Sequence, residues 1–331
     1  MFLIFTKLVK KNNLSGCLPN PSLLILHQNQ SFTLKKIFIS DSGPKVSEAI
    51  YGFWRWSDTA NADEKSMEQM VNLCLELGIN TFDHADHYGH YECESMFGRV
   101  MGKRSFKRED IVLFTKCGLC IPTEGKNAYP IHHRNTSAAH INATIGQSLR
   151  NLKTDYVDVF LLDGLDPISN LEETAFALEK LKSAGKIKNV GVANFNVFQH
   201  QLLTSFLQIP TVTNHVNLNL LNTVALDNGQ LDYSKQRYMR AVAAEPLAGG
   251  RIENGTDLQA KRVRLALESI SQKYQANIES LAVAWINRLG AIPLIGTLDE
   301  NRIRNIADSF RINLEHEDWY LLYEAGKVWP D

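Results

Sequence analysis

The sequence predicts an α/β fold, a single-domain (β/α)8 or TIM barrel of eight parallel strands. Two observations predict it. From residue 48 onward, short apolar runs alternate with longer segments of helical periodicity, as in successive βαβ units of a parallel sheet. Eight such runs fall within about 250 residues, the usual size of a closed barrel. We therefore expect one barrel domain over residues 34–331, preceded by a loosely ordered extension, residues 1–33.

Each predicted strand is an apolar run with polar residues at its end. The eight are Ala49–Trp54, Ile79–His84, Asp110–Lys116, Tyr156–Leu162, Ile187–Ala193, Thr211–Asn217, Arg240–Glu245 and Ile292–Thr297. The predicted helices between and after them have a period near 3.6 residues. They are Lys65–Leu77, Tyr91–Met101, Ser137–Leu152, Leu171–Ala184, Val197–Phe206, Gln259–Arg288 (long enough for two helices) and Glu315–Glu324. The connection between the sixth and seventh strands carries little regular pattern.

Composition and charge exclude several classes of partner. The chain is 44% hydrophobic and 21% charged, with a net charge of -1, so nothing favours binding to nucleic acid or an anionic membrane. No run approaches the ~20 apolar residues of a membrane span. Five cysteines, an odd number and widely spread, favour free thiols in a reducing compartment. We expect a cytoplasmic protein that binds a small molecule; the oligomeric state stays open.

Polar side chains stand at the carboxyl ends of seven predicted strands. Active sites of (β/α)8 barrels are built at that end, so these side chains are expected to share one pocket. They are Asp83, Lys116, Asp163, Asn194, His215, Glu245 and Thr297. Tyr88 follows Asp83 by five residues, and a carboxylate with a nearby phenol can perform acid–base chemistry. The set predicts an active site.

These residues resemble the aldo-keto reductase family over roughly residues 34–330. Asp83, Tyr88 and Lys116 match three members of the family's catalytic tetrad. Gly191–Phe195 matches its Gly-x-Ser-Asn-Phe element, with alanine in place of serine. Gly52-Phe53-Trp54-Arg55 on the first strand is similar to a bacterial oxidoreductase branch.

The resemblance implies an NADPH- or NADH-dependent oxidoreductase that reduces a small carbonyl compound or a conjugated enone. Hydride passes to the substrate, and Tyr88 donates the proton. A phenol is a weak acid, so the ammonium of Lys116 is expected to favour the phenolate and lower the pKa of Tyr88. Asp83 is expected to hold Lys116 in place.

Asp163 occupies the position of the family's fourth catalytic residue, a histidine that orients the carbonyl. An ionised Asp163 would repel an alkoxide, whereas a protonated one would donate a hydrogen bond. Steroid 5β-reductases of the same family carry a glutamic acid there and reduce a conjugated C=C bond. Alternatively, Asp163 pairs with Lys116 and the site is silent.

Three functions therefore stay open from the sequence. The first is a reductase with an altered tetrad. The second is a catalytically silent barrel that acts as a binding or regulatory protein. The third is a non-redox isomerase or cyclase that uses Asp163 and Tyr88 as an acid–base pair.

The cofactor positions implied by the resemblance are altered as well. Ala193, Asn194 and His215 stand where the family has a Ser/Asn/Gln trio, and Ala244 replaces a stacking aromatic residue. Glu245 replaces a serine and would need a partner such as Arg251. The residues expected to bind cofactor are Asn194, His215, Leu247, Gly296, Thr297 and Arg302. Arg302 could hold a 2′-phosphate, but acidic neighbours give no support for a preference for NADPH.

Two further motifs concern the lining of the pocket and the binding of a metal. Trp54 and His87 are expected to line the substrate pocket, and His84, His90 and Tyr91 are expected there too. Cys117 and Cys120 have the CxxC spacing of metal and redox sites, but no second such pair follows. We predict no metal site.

Overall fold

The computed structural model describes residues 32–56, 63–103, 106–123 and 129–327 of the chain. The chain from Thr33 onward forms one compact unit. Apart from its last two residues, the expected N-terminal extension lies outside the described residues and stays a prediction.

The strands are numbered in chain order. They are β1 (Lys36–Phe38), β2 (Lys45–Ser47), β3 (Ile50–Gly52), β4 (Thr81–Asp83), β5 (Val112–Cys117), β6 (Leu119–Cys120), β7 (His133–Arg134), β8 (Val157–Asp163), β9 (Ile187–Ala193), β10 (Thr211–Asn217), β11 (Val242–Ala244) and β12 (Ile292–Ile295). Eight of them close a barrel in the order β3, β4, β5, β8, β9, β10, β11, β12, each parallel to its neighbours. The predicted fold class is confirmed.

The helices lie between and after the barrel strands. They are α1 (Glu64–Glu76), α2 (Tyr88–Tyr91), α3 (Cys93–Lys103), α4 (Ala138–Leu152), α5 (Leu171–Ser183), α6 (Val197–Phe206), α7 (Val224–Asp227), α8 (Gln230–Gln236), α9 (Arg251–Asn254), α10 (Leu258–Tyr274), α11 (Ile278–Arg288), α12 (Glu300–Asp308) and α13 (His316–Gly326). Side-chain oxygens accept from the first backbone amides of many of them, which stabilises their N-termini. The capping residues are Asp63, Ser137, Asn170, Asn196, Asp257, Asn277 and Asp299.

All eight predicted barrel strands are present, with bounds within two residues of those predicted. The predicted segment Gln259–Arg288 is two helices, α10 and α11. They separate at Gln275, whose φ of 49° ends the first one. Helices α2 (apart from Tyr91), α7, α8, α9 and α12 were not predicted. All five have nine residues or fewer, so their sequences hold too few turns to show a period.

An antiparallel hairpin of β1 and β2 precedes the barrel and was also not predicted, because three-residue strands cannot show alternation. Its side chains Ile39 and Val46 are buried and join the apolar cluster formed by the barrel strands. The amide of Arg240, just before β11, donates to the carbonyl of Ile39. The hairpin therefore packs against the amino-terminal end of the barrel, which leaves the carboxyl end for the site.

None of the helices in the described parts of the chain combines the length and the apolar character needed to cross a bilayer.

Candidate active site

A buried ion pair lies at the carboxyl end of the barrel. Asp83 ends β4 and Lys116 is the penultimate residue of β5, so their side chains meet inside the barrel. The Nζ atom of Lys116 lies 2.6 Å from Oδ2 of Asp83 and donates to the carbonyl of His84 at 2.9 Å. Burial raises the pKa of Asp83, and the ammonium of Lys116 opposes that rise. Because both groups are buried, each depends on the other for its charge.

Tyr88 completes a triad with this pair. Its hydroxyl lies 3.5 Å from Oδ2 of Asp83, and Nζ of Lys116 is 4.7 Å from the centre of its ring. Burial, and next the carboxylate of Asp83, raise the pKa of Tyr88 well above its usual value. The expected net lowering of the pKa of Tyr88 is therefore wrong, because burial and the carboxylate of Asp83 determine the direction of the shift.

The backbone after Tyr88 requires glycine. Gly89 has a φ of 58°, and a Cβ there would lie 2.4 Å from Sγ of Cys93. The tight turn keeps the tyrosine close to its strand.

Asp163 ends β8 and is 5% exposed. Nδ2 of Asn194 donates to its Oδ1 at 2.8 Å. Among the described residues Asp163 forms no ion pair with Lys116, which pairs with Asp83 instead. The predicted alternative of an Asp163–Lys116 pair is therefore wrong, and Asp163 instead faces the cavity described below.

His215 lies on β10 beneath the triad. It is buried, its ring stacks near Phe114, and its Nδ1 is 3.9 Å from Oδ1 of Asp83. Among the described residues, neither ring nitrogen of His215 nor Oδ1 of Asp83 has a hydrogen-bond partner. Burial, and next the charge of Lys116, hold the pKa of His215 well below its usual value. The ring is therefore neutral, with one donor and one acceptor.

His84 does not line the pocket, contrary to expectation. Its ring stacks on Phe53 with centroids 4.4 Å apart and meets the edge of Phe97 at 4.5 Å. It is fully buried, and burial lowers its pKa well below the usual value. His84 is a core residue because the side chains of adjacent strand residues point to opposite faces, so Asp83 faces the lumen and His84 the helices.

Two cavities meet over the site. The larger, about 390 Å³, is lined by Trp54, His87, Tyr88, Gly89, His90, Tyr91, Ile121, Thr123, Asp163, Ala244, Glu245 and Leu294. The smaller, about 220 Å³, is lined by Trp54, Arg55, Glu245, Pro246, Leu247, Gly249, Gly250, Ile295, Gly296, Thr297, Leu298, Arg302 and Ile306. Trp54 and Glu245 belong to both, so the two form one cleft.

The indole of Trp54 lies flat on two strand ends. A Cβ at Gly52 or at Gly296 would come within 2.3 Å of this ring, so both glycines are needed for its position. Trp54 and His87 both line the larger cavity.

The predicted cofactor residues fall into two groups. Leu247, Gly296, Thr297 and Arg302 line the smaller cavity. Asn194 and His215 instead contact the acidic residues of the site, Asp163 and Asp83.

Glu245 has a different partner from the one expected. Its carboxylate accepts from Asn217 at 3.3 Å, while Arg251 pairs with Asp257 at 3.0 Å. The predicted pairing of Glu245 with Arg251 is therefore wrong. The reason is local: Arg251 opens α9, and Asp257, the N-cap of α10, is six residues away.

Arg302 is held by two carboxylates. Its guanidinium lies 2.7 Å from Glu253 and 2.5 Å from Glu279. These two residues were not predicted, since nothing in the sequence relates α9 and α11 to α12. Arg55 was also missed as a site residue, although it stands in the motif of the first strand; it lines the smaller cavity beside Gly249.

Cys117 and Cys120 are buried, and Sγ of Cys120 lies 3.9 Å from Nε2 of His140. No group of three or more His, Cys, Asp or Glu residues suited to a metal ion occurs in the described parts of the chain.

Comparison with known proteins decides the family. The model described as "Aldo/keto reductase family" matches residues 48–327. The chain belongs to this family. An uncharacterised oxidoreductase of Bacillus subtilis, YcsN, is 34% identical over 85% of this chain and 94% of its own. A 6-dehydroglucose reductase of Agrobacterium fabrum is 34% identical over 88% of this chain and 97% of its own.

Solved structures agree on the fold. A thermostable aldo-keto reductase crystallised with the inhibitor epalrestat superposes with a TM-score of 0.76 at 22% identity, covering 88% of this chain and 100% of that one. An aldo-keto reductase complexed with NADPH gives a TM-score of 0.74 at 22% identity, covering 90% of each chain. This aldo-keto reductase is therefore an oxidoreductase, and the cofactor of its family is NADPH or NADH.

The residues present fit a dinucleotide. The backbone at Gly249 and Gly250 has φ angles of 66° and 91°, and a Cβ at Gly250 would meet nothing within 4 Å, so the main chain there is open to a ligand. Arg55 adds a positive charge to the same cavity. The unpartnered ring nitrogens of His215 suit an amide group, which carries both a donor and an acceptor.

Proposed function

We propose that this aldo-keto reductase uses NADPH or NADH to reduce a small polar carbonyl compound or a conjugated enone, with Tyr88 as the proton donor. The proposal rests on the contacts among Asp83, Lys116 and Tyr88. A bound nicotinamide would supply the hydride. The side chains of the cleft would orient the substrate, exclude water and deliver one proton.

Tyr88 is suited to give a proton and not to take one. Its raised pKa keeps the phenol protonated near neutral pH. An alkoxide is a much stronger base than a phenolate, so proton transfer from the phenol to a developing alkoxide stays favourable. Lys116, 4.7 Å from the ring, stabilises the phenolate that remains. Asp83 holds the ammonium in position.

Asp163 takes over the orienting role of the missing histidine. Its Oδ1 accepts from Asn194, which leaves Oδ2 for the substrate. Burial raises the pKa of Asp83, the ammonium of Lys116 opposes that rise, and the charge of Asp163 adds to it. Among the described residues Lys116 pairs with Asp83 and not with Asp163, so the carboxyl group of Asp163 stays available to the substrate. We propose that its free oxygen contacts the substrate and orients it in the cleft.

The substrate class follows from the larger cavity. Two carboxyl groups, Asp163 and Glu245, and two imidazoles, His87 and His90, face it beside the indole of Trp54. Such a lining suits a compact molecule with several hydrogen-bonding groups. The 34% identical relative named 6-dehydroglucose reductase supports a hydroxylated carbonyl compound.

Removal of the Tyr88 hydroxyl tests this assignment. Tyr88→Phe should lower kcat for carbonyl reduction by about 10²- to 10⁴-fold, the usual contribution of a positioned acid, and leave cofactor affinity unchanged. Tyr91→Phe is the matched control: that phenol lines the same cavity but bonds the backbone of Ile121, so kcat should change far less. Equal effects of the two substitutions would refute Tyr88 as the donor.

A further inference from the structure

We propose that the outer faces of α5 and α6 form a two-fold interface between two copies of this chain. In this dimer each helix packs antiparallel to its own copy. The inference is independent of the proposed reaction and rests on the exposed side chains of the two helices.

Helix α6 exposes an apolar stripe. Phe198, Leu202 and Phe206 recur every fourth residue and therefore lie on one face. Their exposed fractions are 81%, 47% and 40%. The opposite face is anchored by the buried residues His200 and Leu203. An exposed apolar stripe of three large side chains is typical of a surface that contacts another protein.

The same helix contains no charged residue. Its ten residues are Val-Phe-Gln-His-Gln-Leu-Leu-Thr-Ser-Phe, and burial lowers the pKa of its histidine, His200, to about 4, so that ring is neutral. A helix facing water normally carries charged side chains on its outer face. Depletion of charge beside exposed aromatic residues is the composition of an interface core.

The order of the side chains selects a second copy as the partner. The residue types along the stripe (Phe198, Leu202, Phe206) have the same order and spacing from either end of the helix. A two-fold axis across the helix at Leu202 therefore places Leu202 against Leu202 of the second copy, and Phe198 against its Phe206. A face that matches itself in this way is what an isologous dimer requires.

Helix α5, which packs beside α6, carries an exposed stripe of its own. Glu172, Phe176 and Lys180 are exposed and also recur every fourth residue, with Phe176 56% exposed. Antiparallel packing on the second copy sets Glu172 against Lys180 and Phe176 against Phe176. A parallel arrangement would lack this charge complementarity. Both stripes therefore favour the antiparallel dimer, with an apolar centre and a charged rim.

Sedimentation velocity on the full-length protein tests the proposal. We expect twice the mass of the chain at concentrations of roughly 10–100 µM, the range in which an interface of modest size is populated. A monomer throughout this range would overturn the proposal. Leu202→Glu places two carboxylates against each other at the axis and should yield the monomer. Leu258→Glu is the matched control, since Leu258 is 80% exposed but lies on α10; its dimer should persist.

A charge exchange tests the antiparallel arrangement itself. Glu172→Lys and Lys180→Glu should each weaken the dimer by roughly tenfold, because each turns two attractive pairs into repulsive ones. The double variant should restore the original dissociation constant, since the pairs are re-formed with opposite sign. Circular dichroism verifies folding of each variant. A double variant as weak as the singles, or dissociation by Leu258→Glu, would contradict the proposed interface.

Discussion

Asn194 donates a 2.8 Å hydrogen bond to Asp163, which joins the ends of two neighbouring barrel strands. Asn194 adopts a φ of 60°, a conformation that asparagine tolerates better than most residues. The bond fixes one carboxyl oxygen of Asp163 and leaves the other for a ligand in the larger cavity. The carboxyl group of Asp163 is thus held in place.

Replacement of Asp163 tests whether this group limits carbonyl reduction. Asp163→His should raise kcat/KM for a generic aldehyde by about tenfold or more, because a neutral donor replaces a group that can carry negative charge beside the alkoxide. Asp163→Asn is the control of equal size and should retain the orientation without the charge. An ionised carboxylate would be most harmful at high pH. If neither variant gains activity at pH 8, the carboxyl group of Asp163 does not limit the rate of carbonyl reduction.

The buried pair of Asp83 and Lys116 should matter for stability as well as for activity. Lys116→Met leaves the carboxylate of Asp83 buried without its cation and should cost about 3–5 kcal/mol of unfolding free energy. Lys103→Met breaks the exposed pair with Glu64 and should cost much less unfolding free energy, because water screens that pair. Urea unfolding of both variants gives the comparison. Equal costs would mean that the inner pair is not desolvated as described.

Glu94 predicts a pH dependence of stability. Its carboxyl group is buried on α3, and burial raises its pKa from 4.5 to about 7, although a hydrogen bond from Thr115 at 2.6 Å opposes the rise. Between these values the folded state binds more protons than the unfolded state. The stability that Glu94 contributes is therefore present below pH 4.5 and is lost as the pH rises through 7.

The variant Glu94→Gln isolates this effect. At pH 8 the free energy of unfolding of this variant should exceed that of the parent protein by at most about 3 kcal/mol. The difference should vanish near pH 4.5. Glu92→Gln, an exposed carboxylate two residues away, should leave the pH dependence unchanged. Thermal unfolding between pH 4.5 and 8 measures both. Parallel curves for the parent and Glu94→Gln would contradict the raised pKa.

Arg302 should discriminate weakly between the two cofactors, because Glu253 and Glu279 already neutralise it. Glu253→Gln removes one of the two carboxylates from the guanidinium. It should tighten the binding of NADPH by roughly three- to tenfold, the effect of one exposed ion pair, and leave the affinity for NADH unchanged. Glu300→Gln removes a nearby charge without a contact to Arg302 and should have less effect. A gain for NADH equal to that for NADPH would show that the 2′-phosphate is not bound there.

The barrel could be predicted because its strands are buried on both faces and therefore appear as apolar runs. Within the candidate site, the meeting of Asp83 and Lys116 could be anticipated, because both lie at the carboxyl ends of neighbouring strands. What the sequence could not reveal depends on contacts between distant segments. Glu253 and Glu279 reach Arg302 only because α9 and α11 pack near α12, and the partner of Glu245 depended on which side chain lies nearest in space.

The direction of the pKa shift at Tyr88 could not be predicted for the same reason. The sequence shows an ammonium that is expected to lower this pKa, whereas the burial that raises it is a property of the packed barrel. His84 illustrates the reverse case. It stands beside Asp83 in the sequence, yet the alternation of a strand sends it into the core against Phe53.

The most direct measurement is a titration with NADPH and with NADH, followed by quenching of tryptophan fluorescence. Trp54 lines both cavities, so a dinucleotide in the cleft must alter its emission. We expect saturable quenching by at least one cofactor below millimolar concentration, retained in Tyr88→Phe. Absence of binding by both cofactors at millimolar concentration would contradict the assignment of this cleft to nicotinamide-dependent reduction.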